Sequence, residues 1–137
     1  MRRIAVDTGP LVAFLNARDA HHEWAKNILD GIEPPVYTCE AVVSEACFLV
    51  RHLSRGPDKV FELISRGIVR LGFSLEAELP AVRKLMAKYA TVPMSVADAC
   101  LVRMTELDAK TTVLTLDRDF RIYRRAGRQV IPMISPE

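Results

Sequence analysis

Short runs of β-branched and apolar residues alternate along this chain with longer stretches of helical periodicity, and that alternation leaves few folds open. The strand-like runs are Arg3 to Val6, Val36 to Cys39, Ile68 to Phe73, Thr112 to Leu116 and Val130 to Ile134. Between them the pattern predicts helices over Pro10 to Asn16, His22 to Leu29, Glu40 to Leu53, Asp58 to Ser65, Leu75 to Tyr89 and Val96 to Leu107. Gly31, Pro34-Pro35 and Gly56-Pro57 supply the breaks, Pro80 starts the regular part of its helix, and Ser95 stands where a cap belongs. A helical crossover returns the chain to the same end of the sheet, so the strands it joins pair in parallel. The expectation is an α/β fold: a doubly wound parallel sheet of about five strands, flanked by helices on both faces. The 137 residues contain no repeat, low-complexity stretch or linker, which predicts one domain over residues 1–137.

Composition narrows the setting. Arg2 and Arg3 precede a short apolar run that turns polar at Asp7, too soon for a signal peptide, and no apolar run is long enough to span a membrane. Cys39, Cys47 and Cys100 are odd in number, lack ligand spacing and lie in apolar context. They read as small buried thiols in a reducing compartment, so a cytoplasmic location is expected. The net charge is only +2, from 19 basic and 17 acidic residues. Setting aside four acids that gather at one site, argued next, leaves the remainder distinctly basic. Much of that excess lies in Arg118, Arg121, Arg124, Arg125 and Arg128, a cluster suited either to a polyanion or to a salt-bridged surface.

Ligands of doubly wound sheets bind beyond the carboxyl ends of the strands, where strand order reverses. Asp7 follows the first predicted strand and Asp117 trails the fourth; if those strands are neighbours, the two carboxylates converge. Glu45 has Ala41, Val42, Phe48 and Leu49 at helical spacing, so it is expected to project from the core face, where a charge needs a cation. Its bland alternative is a helix edge or a pair with Arg51. Ser95-Val96-Ala97-Asp98 reads as a capping box, yet Leu101 and Val102 turn the same face inward, and a first-turn carboxylate can aim at the strand ends. Asp7 and Thr8 are also competent helix caps, and Gly9-Pro10 suits a tight turn into a helix. Asp119 competes with Asp117 for the same role.

Electrostatics favours treating these acids together. At about 4 Å and an effective dielectric of about 20, each ionised pair costs roughly 4 kcal/mol. A divalent cation removes that cost, and oxygen donors without a Cys/His cluster favour magnesium (Mg2+), or manganese (Mn2+), over zinc.

Asp7-Thr8-Gly9-Pro10-Leu11, then Glu45 on a helix, then Ser95-Val96-Ala97-Asp98-Ala99-Cys100-Leu101, then Thr115-Leu116-Asp117-Arg118-Asp119-Phe120 together resemble a PIN domain, over essentially the whole chain. Length and motif order most resemble the VapC-like toxins of toxin-antitoxin pairs. The resemblance implies a five-stranded parallel sheet with an acidic site at its carboxyl edge. It also implies a magnesium-dependent endoribonuclease that cuts RNA phosphodiesters with a metal-activated water, leaving 5′-phosphate and 3′-hydroxyl ends. Asp7, Glu45 and Asp98 match the three central acids and Asp117 the more variable fourth, with Asp119 a further candidate ligand; Thr8 and Thr115 fall where a supporting hydroxyl is often placed. The implied partners are RNA, a cognate antitoxin protein and a second copy of the chain in a homodimer.

The five arginines, with Arg83, Lys84 and Lys88, are candidates to hold the RNA backbone. His21, His22 and His52 read as core, interface or helix-end residues. Two alternatives remain within the resemblance: an RNA-processing nuclease without an antitoxin, and a non-catalytic RNA- or protein-binding module. A metal-dependent aspartyl phosphatase is disfavoured, because Gly9 occupies the place of its second acid. A receiver-like domain lacks its paired early acids.

Overall fold

The computed structural model describes residues 2–136. Strand β1 (Arg3–Val6) leads into helix α1 (Thr8–Leu15), followed by α2 (His22–Asp30), β2 (Val36–Thr38), α3 (Glu40–Leu49), α4 (Gly56–Ser65) and β3 (Val69–Leu71). Helices α5 (Leu79–Lys88) and α6 (Val96–Leu107) precede β4 (Thr111–Leu114), a 3-10 turn η1 (Arg118–Arg121), and the short strands β5 (Arg124–Arg125), β6 (Gln129–Val130) and β7 (Met133–Ile134).

The sheet has five strands in the order β3-β2-β1-β4-β7, every pair parallel. Ile4, Ala5 and Val6 are consecutive and all buried, as are the four residues of β4. Successive strand side chains point to opposite faces, so burial of every one requires cover on both sides. The six helices provide it, and Val42, Ala46, Val60, Val82, Leu101 and Val102 belong to the resulting core. The chain runs outward from β1 through β2 to β3, then returns to lay β4 on the other side of β1. The order reverses between β1 and β4, and there the carboxyl ends of adjacent strands diverge into connections that leave a crevice.

Two expected boundaries moved for identifiable reasons. The helix predicted to reach Leu53 stops at Leu49, and residues 50–55 turn instead, with Arg55 left-handed at φ 54°. Gly56 then starts α4 against the Val50 carbonyl, where a Cβ would lie 1.9 Å from that oxygen. The run Val130 to Ile134 is not one strand. Val130 closes an antiparallel hairpin with β5, whereas Met133 and Ile134 pair with β4. Pro132 separates them: it has no N–H to donate, but its carbonyl accepts the Val113 N–H at 2.9 Å.

Candidate active site

Asp7 ends β1 and begins α1. Its backbone N–H donates to the Leu114 carbonyl at 2.9 Å, which fastens the end of β1 to β4, and its Oδ1 accepts the Thr8 N–H at 2.8 Å as the helix cap. Its Oδ2 accepts the Thr115 hydroxyl at 2.7 Å. Thr115 Oγ1 in turn accepts the Asp117 N–H at 2.9 Å, so one buried hydroxyl ties the Asp7 carboxylate to the backbone of Asp117. Gly9 lies inside α1 rather than in a turn; a Cβ there would stand 3.2 Å from the Leu116 side chain, so its smallness serves the approach of α1 to the loop after β4.

Asp98 arrives from α6. The capping box is present: Ser95 Oγ accepts the Asp98 N–H at 3.0 Å and Asp98 Oδ2 accepts the Ser95 N–H at 3.2 Å. The same Oδ2 accepts the hydroxyl of Tyr123 at 3.0 Å. Tyr123 is fully buried and meets Tyr89 and Phe120 edge to face, at centroid distances of 5.1 and 5.2 Å. Sequence reasoning did not single out Tyr123. Its one signal is an aromatic three residues after Phe120 inside an otherwise charged stretch, the spacing that puts both on one side of a turn.

Asp7, Asp98 and Asp117 come together, each offering a carboxylate oxygen within 4.8 Å of the others. The proton affinities of Asp7 and Asp98 record their burial. Burial chiefly, helped by the charges of Asp98 and Asp117, lifts the Asp7 carboxyl to a pKa of about 6, against the lowering effect of its bonds from Thr115 and Thr8. Burial also raises Asp98, opposed by hydrogen bonds from Ser95 and Tyr123. Asp119 is not in the group of three; its backbone N–H donates to Asp117 Oδ1 at 2.9 Å, so Asp117 caps η1.

Glu45 departs from expectation. It is exposed, not directed into the core, and Phe48 and Leu49, taken as its core neighbours, are 61% and 46% exposed. The buried face of α3 is Val42 and Ala46. Glu45 still reaches the site's edge, because its Oε1 accepts the hydroxyl of Thr8 at 2.7 Å.

The basic residues divide. Arg124 Nη1 donates to the carbonyls of Arg121, Ile122 and Tyr123 at 2.7 to 3.1 Å. Arg125 Nη1 donates to those of Thr105 and Ala109 at 3.3 and 3.0 Å. Both brace the β5–β6 hairpin against its surroundings. Arg118 and Arg121 line a recess of about 180 Å³ that includes Asp117. Arg128, Arg83 and Lys84 are exposed, and Lys88 Nζ donates to the Gly127 carbonyl at 3.0 Å. His22 Nδ1 bonds the Ala13 carbonyl at 2.7 Å, His52 is exposed, and His21 lines the recess beside Asp117. Cys39 and Cys100 are buried free thiols, whereas Cys47 is half-buried. Among the described residues no helix is long and apolar enough to cross a membrane.

The sequence matches the PIN domain family over residues 4–126. No curated protein matches it. Among solved structures, the fold is similar to Mycobacterium tuberculosis VapC20, described as a sarcin-ricin loop cleaving toxin. The two are 22% identical, with a TM-score of 0.78 over 92% of this chain and 98% of that one.

Proposed function

The chain belongs to the PIN domain family, and from that premise we propose that it is a metal-dependent endoribonuclease, the toxin of a toxin-antitoxin pair. The observation that carries the reading is the meeting of Asp7, Asp98 and Asp117 within 4.8 Å at the point where strand order reverses. Three carboxylates held that close favour a bound cation, and a group made only of carboxylates suits magnesium or manganese. When bound, such an ion lowers the pKa of a coordinated water and offsets charge on the phosphate under attack.

The chain's own residues prepare this site. Thr115 takes the Asp117 N–H on its oxygen and commits its proton to Asp7, fixing both acids with one side chain. Ser95 and Tyr123 hold Asp98 through the same oxygen, so its carboxylate is fixed in place. Glu45, bonded by the hydroxyl of Thr8, the residue after Asp7, is proposed as an outer ligand. Arg118 and Arg121 line one recess with Asp117 and are proposed to offer positive charge to the RNA backbone. The likeness to VapC20 in fold and length supports the toxin role, and a protein antitoxin, a cytoplasmic location and a homodimer are proposed alongside it.

The purified, antitoxin-free protein is expected to cut single-stranded RNA with Mg2+ or Mn2+, to stop when the metal is chelated, and to leave 5′-phosphate ends. Asp98→Asn keeps acceptors for Ser95 and Tyr123, so it should fold as the parent does and lose more than about 100-fold in cleavage, beyond what removing a supporting group costs. An Asp98→Asn protein that cuts RNA at the parental rate would sink the assignment. The toxin role predicts growth arrest on expression, relieved by co-expressing the product of an adjacent reading frame; cleavage without arrest would leave an RNA-processing nuclease.

A further inference from the structure

The recess beside Asp117 is built from three distant parts of the chain: the turn before α2, the η1 turn and the segment after β7. Its polar lining is His21, Asp117, Arg118, Arg121 and Ser135, and its apolar lining is Leu116, Met133 and Pro136. At about 180 Å³ it is far larger than the roughly 30 Å³ share of one water.

His21 is placed there by Asp19. The Asp19 Oδ1 accepts the His21 backbone N–H at 2.8 Å and lies 3.9 Å from the ring Nδ1. That leaves Nε2 on the opposite edge of the ring, where an imidazole can present a donor. Two guanidinium groups and an imidazole outnumber the one carboxylate of the recess, Asp117, which is assigned above to the proposed cation; the balance favours an anion, and guanidinium donors match phosphate oxygens in pairs. The apolar residues ask for more than a bare anion, since a phosphate gains nothing from Leu116, Met133 or Pro136. A phosphate joined to a ribose and base satisfies both halves of the lining. Asp117 borders the recess and shares the acidic group with Asp7 and Asp98, so a nucleotide seated here adjoins the position of the bond to be cut.

We infer that this recess is a nucleotide subsite seating the RNA residue that flanks the scissile phosphate, with His21 as a substrate-binding residue alongside Arg118 and Arg121. The inference rests on the ribonuclease reading and adds to it a place and a contact outside the acidic site. Because His21 is exposed and joins no core cluster, its replacement should leave the fold intact.

The test combines binding without metal and cleavage with it. In EDTA, His21→Ala is expected to weaken the affinity of a fluorescein-labelled single-stranded oligoribonucleotide about tenfold, the loss of one hydrogen bond to a charged group. His21→Gln, which keeps a donor, should recover part of that loss. With Mg2+ present, KM of His21→Ala should rise by a similar factor while kcat stays within about twofold. Adenosine 5′-monophosphate added to the metal-free protein should shift the NMR signals of His21 and Met133 at concentrations where inorganic phosphate does not. Equal binding of inorganic phosphate would overturn the nucleotide assignment. Unchanged RNA affinity in His21→Ala, while the parent protein cuts RNA, would overturn the subsite alone. An acidic peptide that outcompetes RNA for the recess would overturn it in favour of a protein ligand. A parent protein that never cuts RNA would overturn the ribonuclease reading itself.

Discussion

Burial lifts the Asp7 carboxyl from 3.8 to about 6, and the shift carries a stability consequence whose sign is definite. In metal-free protein the folded state holds the Asp7 proton up to a higher pH than the unfolded chain does. Stability from this group is therefore fully present below pH 3.8 and is lost as pH rises through about 6. At 1.36 kcal/mol per pH unit the loss is about 3 kcal/mol, because a residue only 6% exposed has little water to screen it. Asp7→Asn should remove that fall, so the metal-free variant melts several degrees above the parent at pH 7.5 while losing cleavage; equal melting temperatures would show that the burial cost is relieved some other way. Tyr123 acts one step away. Tyr123→Phe keeps both edge-to-face ring contacts and deletes only the hydroxyl given to Asp98. Cleavage should fall about 10- to 100-fold with little change in melting temperature. Asp7, Asp98 and Asp117 were legible as candidates because each follows a strand or opens a helix. Glu45 was misread in its burial: spacing reports which residues share a helix face, but not whether a neighbouring element covers that face. The Phe48 and Leu49 side of α3 is left open.

Within the elements, local rules located most boundaries and failed where long-range packing intervened. Helix α6 begins and ends where its capping box and periodicity say, because both signals lie within a dozen residues. Helix α3 stops early because α4 must start against the Val50 carbonyl, a constraint that periodicity over residues 40–53 does not contain. Two glycines separate close approach from backbone conformation. Gly56→Ala puts a Cβ 1.9 Å from a backbone oxygen and should cost about 3 kcal/mol or more in denaturant unfolding. Gly67→Ala meets nothing within 4 Å but occupies φ +74°, so its cost should be only about 1 kcal/mol. A similar loss for both would refute the steric account of Gly56. The arginine-rich stretch was legible as positive charge, yet Arg124 and Arg125 donate to backbone carbonyls around the hairpin. A count of charges does not reveal which of them the fold already employs.

For the whole molecule, fewer arginines are placed to meet the proposed RNA substrate than the composition suggests. The slope of log affinity against log salt should fall by about 0.7 when Arg121→Gln removes one phosphate contact on a single strand. Arg128→Gln, exposed and outside the recess, is the comparison; an equal change in both would argue for diffuse attraction rather than a defined track. By itself the sequence determined the order and kind of elements, the parallel pairing and the identity of the acids available to a site. Periodicity, breakers and caps are local, and helical crossovers leave parallel strands little choice. Tertiary structure alone decided that β1 and β4 are neighbours, that Thr115 joins Asp7 to Asp117, that Asp117 rather than Asp119 enters the group of three, and that His21 lines one recess with Arg118 and Arg121. Those outcomes depend on strand order and on where loops far apart in the chain fold back. Contacts at such sequence separation are set by the packing of the whole core and leave no mark in any short stretch of residues.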